Sequence, residues 1–342
     1  VLGVDVGQAI RGRVGHQLTP RRGELTEMVK YLKLARIQTG SGLVGAHRAC
    51  DKAYGANRFG TTMMSTLAVI LPFDLFGSPG TGAGAQLVGD ALREMLEDNR
   101  RERMPARAAC YGGQMRLKEL TFEKLDDYRV WHKQARKLAK QSLKKGEFLL
   151  WVGGNHMSVL PVLEELGAKA GSLCVQFDAH LDVYNLTGCT TEPSHGNFLL
   201  HADGPLPPIV HIGHRDLFLP RDAVAKKLHA TYPAEQLHVD PRAALRSLAL
   251  HAKSARRVWI DIDCDVLDPA FFPAVDGPLP FGLTPPLLIR LLDAICSERV
   301  AGVSISEFAP ARDRNDQSLG LLVWLIEWLI LRRYERRCDE EE

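Results

Sequence analysis

Two short runs place acids and an imidazole on alternate residues: Asp178-Ala179-His180-Leu181-Asp182 and Asp263-Cys264-Asp265, the second preceded by Asp261. Each run closes an apolar stretch that reads as a strand, residues 173–177 and 258–260. Side chains alternate between the two faces of a strand, so residues two and four apart share one side. Asp178, His180 and Asp182 therefore converge, as do Asp263 and Asp265. Carboxylates gathered in a partly buried site repel one another unless a cation compensates them. Imidazole among carboxylates suits a divalent transition ion, and this many ligands suggests two.

Other residues join these runs once the positioning elements are read. Strands are expected over 67–76, 148–152, 173–177, 208–212, 257–262 and 300–305. Helices are expected over 86–99, 122–144, 158–166, 241–253, 285–297 and 317–333. Strands too continuously apolar for one-sided burial, alternating with helices of about ten residues or more, predict an α/β fold with a parallel sheet covered on both faces. Functional groups in such sheets collect beyond the carboxyl ends of the strands. His156 follows a strand and a Gly153-Gly154 turn, Glu307 ends the last strand, and both fall at that edge. His195, in Ser194-His195-Gly196, follows a long polar loop and could act as an acid or proton shuttle. Residues 269–286, rich in Pro and Gly, read as an ordered loop walling the site, with Asp268 a turn starter. The Gly-rich run 77–85 loosely fits a dinucleotide fingerprint, but no second strand ending in an acid follows it, so a structural turn is the better reading.

The rest of the composition narrows the function. The 342 residues are 45% apolar and 25% charged, which is globular, and the formal net charge of +2 argues against a nucleic-acid or anionic-membrane partner. Seven scattered cysteines without a C-x-x-C pair read as thiols in a reducing compartment. No apolar run reaches membrane-spanning length, and the beginning lacks the layout of a secretory signal, so a cytoplasmic location is expected. Residues 1–65 carry much Gly, Arg and Lys with weak periodicity, and read as an N-terminal extension with one helix over 24–37 or with partial disorder. A catalytic domain is expected over 66–335, with a charged C-terminal tail over 336–342.

In this order, Gly-Gly-Asn-His156, Asp178-Ala-His-Leu-Asp182, Ser-His195-Gly, Asp263-Cys-Asp-Val-Leu-Asp-Pro269 and Glu307 resemble the ureohydrolase (arginase/agmatinase/formimidoylglutamase) family over residues 67–333. The resemblance implies a three-layer α/β/α arginase-like fold and two Mn2+ per chain. His156 and Asp182 would hold one ion, His180 and Asp265 the other, and Asp178 and Asp263 would bridge them. A bridging hydroxide would attack a guanidinium carbon to give urea and an amine. Glu307 would orient the small cationic guanidino or amidine substrate, Asp182 would accept a hydrogen bond from the hydroxide, and His195 would protonate the departing amine. Trimers or hexamers are implied as well.

Three departures bear on the substrate. The family usually has Asp where this chain has Asn155, which is expected to weaken or retune the metal. Tyr184 and Phe218 stand where arginases present an Asn and an Asp that read an α-amino acid. An agmatine-like substrate is thus expected ahead of arginine, with Tyr184 and His195 lining its site. The alternatives are a formimidoylglutamase-type hydrolase, a non-catalytic metal- or polyamine-binding protein, and a single-zinc deacetylase-like enzyme.

Overall fold

The computed structural model describes residues 65–104, 106–121, 128–186 and 191–340. The extension expected over residues 1–65 lies outside them apart from Ser65. In chain order the main elements are β1 (Thr66–Leu71), α1 (Thr81–Arg101), β2 (Met115–Glu119), α2 (Tyr128–Lys145), β3 (Phe148–Gly153), α3 (Leu160–Gly167) and β4 (Ser172–Phe177). Then come β5 (Ile209–Ile212), α4 (Arg221–Ala225), β6 (Ala230–Tyr232), α5 (Ala234–Val239), α6 (Arg242–Ser254), β7 (Arg257–Asp263), α7 (Pro285–Ile295), β8 (Val300–Ser306) and α8 (Gln317–Glu340). The strands form one 8-stranded sheet in the order β2-β1-β3-β8-β7-β4-β5-β6. Each neighbouring pair is parallel.

Every residue of β1, β3, β4 and β5 is buried, so helices cover both faces of the sheet. This is the predicted α/β/α arrangement. The strands missed in the sequence are the edges. β2 (Met-Arg-Leu-Lys-Glu) is half solvated, and β6 is three residues long. Neither carries the continuous apolar run that marks a buried strand. The first strand stops at Leu71 rather than running to 76, because Pro72 has no N–H to give a ladder. The last helix runs to Glu340, past the Arg333 expected, and takes in part of the predicted tail. Among the described residues no helix is long and apolar enough to cross a membrane.

The four strands at the centre, β3, β8, β7 and β4, are adjacent, although they stand far apart in sequence. Their carboxyl ends carry His156, Glu307, the 263–265 run and the 178–182 run. The Gly-rich segment after β1 packs beside them. Asp74 accepts hydrogen bonds from the amides of Gly80 (2.8 Å) and Gly82 (3.2 Å), occupying donors that a phosphate would need. Helix α1 begins at Thr81, ahead of the 86 expected, because small residues let it lie directly on a neighbouring backbone. A Cβ at Gly84 would fall 1.9 Å from the carbonyl oxygen of Phe308, the residue after Glu307. Gly84→Ala is therefore expected to lower the unfolding free energy by roughly 1–3 kcal/mol in urea denaturation. An unchanged midpoint would mean that α1 is not anchored there.

Candidate metal centre

Asp178 and its neighbours leave β4 in a tight turn. The Asp178 Oδ1 oxygen accepts the amide of His180 (2.6 Å), while Asp265 Oδ1 accepts the amide of Ala179 (3.0 Å). After β7, Asp263 Oδ1 accepts the amide of Asp265 (2.9 Å) and starts a short 3-10 turn. After β3, Gly153 and Gly154 let the chain fold back against Phe73, and His156 begins another 3-10 turn. Asp182 (φ 51°) and Glu307 (φ 67°) sit in the left-handed region, which non-glycine residues seldom occupy without a surrounding structure that enforces it.

These turns bring all six predicted ligands together. His156 Nδ1 lies 2.8 Å from Asp182 Oδ2, 3.1 Å from Asp178 Oδ2 and 3.2 Å from Asp263 Oδ2. His180 Nδ1 lies 2.8 Å from Asp265 Oδ2 and 3.8 Å from Asp178 Oδ1. Ligand atoms of His156, Asp178 and Asp182 form one group, and those of Asp178, His180 and Asp265 a second, each within 4.8 Å. Asp178 is common to both. Asp263 belongs to neither group, although its Oδ2 faces His156.

The chemistry of the donors fits divalent ions. His156 Nδ1, Asp178 Oδ2 and Asp182 Oδ2 are buried and none makes a hydrogen bond, although they converge. Nitrogen and oxygen atoms that face each other this closely, with no proton aligned between them, are arranged as a cation would need them. Burial and the neighbouring Asp182 and Asp265 charges push the Asp178 carboxyl far above its ordinary range. Burial, Asp265 and Asp178 do the same to Asp263. For His156, burial opposes the charged ring, but Asp261, Asp178 and Asp182 outweigh it and raise the pKa well above normal. Burial likewise opposes charge on His180, yet its bond to Asp265 prevails and carries it to about 10. Asp265 is held low by that same partner despite its burial.

Glu307 lies beside this cluster, 5% exposed, with Oε1 accepting the His156 amide at 2.8 Å. Burial is the main cause that lifts its carboxyl to about 7, against hydrogen bonds from Ser78 and the His156 amide. His195 stands further out. Its Nδ1 is 3.4 Å from the Ser78 hydroxyl, and its ring fills the space where a Cβ on Gly77 (φ 145°) would be. Tyr184 pairs with the same loop through its amide and Gly196 O (3.2 Å), and its hydroxyl accepts the Leu181 amide (3.3 Å) and bonds Asp216. The Phe218 side chain is 80% exposed. Asp268 is structural, accepting the amides of Ala270 and Gly282, each at 3.0 Å.

Asn155 serves a loop rather than the cluster. Its side-chain amide turns away from the ligands and donates to Leu75 O (2.7 Å) and Gly77 O (3.0 Å), fixing the loop that seats His195. The carboxylate beside His156 is Asp261 instead. Two functional neighbours thus went unassigned in the sequence, Asp261 and Ser78. The strand alternation that aligned Asp263 with Asp265 also put Asp261 on that face; Ser78 carried no such signal.

The fold is shared with solved structures. Arginase from Bacillus subtilis superposes with a TM-score of 0.65 at 18% identity, covering 78% of this chain and 98% of that one. The agmatine ureohydrolase of Thermoplasma volcanium gives 0.64 at 19% identity, covering 86% and 100%. A sequence profile of the arginase family matches residues 66–331, and the chain belongs to that family. Among curated relatives, an N(1)-aminopropylagmatine ureohydrolase of Thermus thermophilus is 30% identical over 185 residues, 52% of this chain and 61% of that protein. The agmatinase of Cronobacter sakazakii is 33% identical over 183 residues, 52% of this chain and 57% of that protein. The aligned part thus spans less than two thirds of either relative.

The raised pKa values fix a sign for stability. Asp178 and Asp263 stabilise the metal-free fold fully below their ordinary 3.8 and lose that contribution as pH rises through their elevated folded values. His156 and His180 do so fully below 6.5, and lose it as pH rises toward about 10 for His180. Metal-free protein is therefore expected to melt at lower temperature at about pH 9 than at about pH 6. A divalent transition ion should raise the melting temperature more at the higher pH. Scanning calorimetry at both values checks this, and a larger ion-induced rise at the lower pH would contradict it.

Proposed function

We propose that this chain is a manganese-dependent hydrolase that cleaves a guanidino C–N bond to give urea and an amine, with an agmatine-like cation as substrate ahead of arginine. The observation that carries this reading is the placement of Glu307, a buried carboxyl aimed beside two overlapping groups of metal-ligand atoms. Two Mn2+ ions would be held by His156, Asp178, Asp182, His180 and Asp265, with Asp263 alongside, and would acidify a water to hydroxide near neutral pH.

The protein's own groups then divide the remaining work. Glu307 holds the planar guanidinium by paired charge-assisted hydrogen bonds, and that cation favours its ionised form. A positioned guanidinium carbon needs less of the activation barrier to be met by chance encounter. Asp182, besides serving as a ligand, would accept a hydrogen bond from the attacking hydroxide and so orient it. His195, partly exposed and packed against the Gly77–Ser78 loop, delivers a proton to the departing amine. Burial of the Glu307 carboxyl and of the ligand carboxylates keeps competing water from screening these charges.

Tyr184 and Phe218 support the choice of substrate. The Tyr184 hydroxyl is held by Leu181 and Asp216, and Phe218 points to solvent, so neither presents a carboxylate or amide to an α-amino acid. The names of the two curated relatives, an aminopropylagmatine ureohydrolase and an agmatinase, agree with this direction.

Purified, Mn2+-loaded protein tested on agmatine, guanidinobutyrate, arginine and formiminoglutamate should release urea, and fastest from agmatine or a close analogue. Formamide from formiminoglutamate would reassign it to formimidoylglutamase-type chemistry, and no product from any of the four would end the hydrolase reading. Glu307→Gln should keep its full metal content while kcat/KM falls on the order of 10²- to 10³-fold. Unchanged turnover would remove Glu307 from the mechanism.

A further inference from the structure

Beneath the ligand layer lies a row of buried polar side chains that crosses the sheet. Register places Gln176 of β4 beside Asp261 of β7, and Asp261 beside Ser304 of β8. All three are fully or almost fully buried. In a covered parallel sheet such positions are ordinarily apolar, and a carboxylate there is costly unless its oxygens are satisfied. Asp261 is satisfied by donors alone. Its Oδ2 faces Nε2 of His156 at 2.9 Å and the Gln176 amide nitrogen at 3.1 Å. Its Oδ1 accepts the Ser304 hydroxyl at 2.5 Å. The Ser304 oxygen in turn accepts the Trp259 indole N–H at 2.8 Å, which leaves the hydroxyl proton to point at Asp261.

This arrangement decides the state of His156. His156 Nε2 lies nearer the Asp261 oxygen (2.9 Å) than the Gln176 amide nitrogen (3.3 Å), and every other polar neighbour of Asp261 is a donor, so Nε2 donates to Asp261 in that contact. Once Nε2 holds the proton of the neutral ring, Nδ1 presents a lone pair toward Asp178, Asp182 and Asp263. An amide in place of Asp261 would lack that control, since it could turn its NH2 toward Nε2 and favour the tautomer with the proton on Nδ1. We propose that Asp261, held by Ser304 and Gln176, is a positioning residue that fixes His156 as an Nδ1 ligand and sets the affinity of the ion on the His156 side. The inference rests on the metal-centre reading above and goes beyond it in assigning the control of one ion to a residue that touches neither ion nor substrate.

The test is Mn2+ binding to the full chain, followed by equilibrium dialysis with metal analysis and by Mn2+ electron paramagnetic resonance. Asp261→Asn should weaken one of two ions by about 10- to 100-fold and leave the other near its original affinity. A merely structural loss would weaken both alike. Glu307→Gln, measured in parallel, should bind both ions as the unaltered protein does. Equal affinity of Asp261→Asn and the unaltered protein for both ions overturns the role of Asp261 while leaving the metal centre intact. Failure of the unaltered protein to bind Mn2+ overturns the metal-centre reading, and this inference with it. If Asp261→Asn does not fold, Ser304→Ala removes the donor that orients Asp261. It should weaken the same single ion, and unchanged binding there overturns the proposal.

Discussion

Mutual repulsion among buried carboxylates is the constraint around which this molecule is organised. Asp178, Asp182, Asp261, Asp263, Asp265 and Glu307 meet at the ends of adjacent strands, all almost fully buried. Two imidazoles, His156 and His180, stand among them. Without an ion the cluster can lower its energy only by taking up protons, and the raised pKa values of Asp178, Asp263, His156, His180 and Glu307 record that pressure. A bound cation relieves the same repulsion without protonating the ligands. The site is therefore stabilised by the ligand it would use.

Holding such a cluster together requires a rigid frame, and the sheet supplies it. β3, β8, β7 and β4 lie side by side at the centre, fully covered, so their carboxyl ends cannot move apart without disturbing the core. The irregular backbone is confined to the last residue or two beyond each strand, where Asp182 and Glu307 take left-handed conformations. The loop after β1 closes the arrangement. It is tied down by Asn155, leads into α1, which packs through Gly84 on Phe308, and carries Ser78 between His195 and Glu307. Depth orders the site: the polar row of Gln176, Asp261 and Ser304 lies within the sheet, the acids and imidazoles gather at the strand ends, and the loops carrying Ser78, Tyr184 and His195 lie beyond them.

Much of the fold was legible because its central strands are buried on both faces and so read as unbroken apolar runs. β2 and β6 were not legible, since an edge strand of alternating charge and a three-residue strand leave no such trace. The helix after the Gly-rich run was placed late, because glycine lowers helix propensity locally while a close backbone contact at Gly84 rewards it. The acids and imidazoles that the structure brings together were legible one by one from alternation and order. The partners of Asn155 were not legible: its amide serves a loop, and Asp261 is the carboxylate beside His156 Nε2.

The sequence by itself determined which acids and imidazoles share a face, because alternation along a strand is a property of the local backbone. It also determined, through the ordered motifs, that the chain belongs with the arginase family. Only the tertiary structure decided which carboxylate faces which ring nitrogen. That choice depends on cross-strand register, which aligns Gln176, Asp261 and Ser304 from three separate parts of the chain. It also placed Ser78 against His195 and turned Phe218 into solvent, outcomes of loop packing that no local pattern encodes.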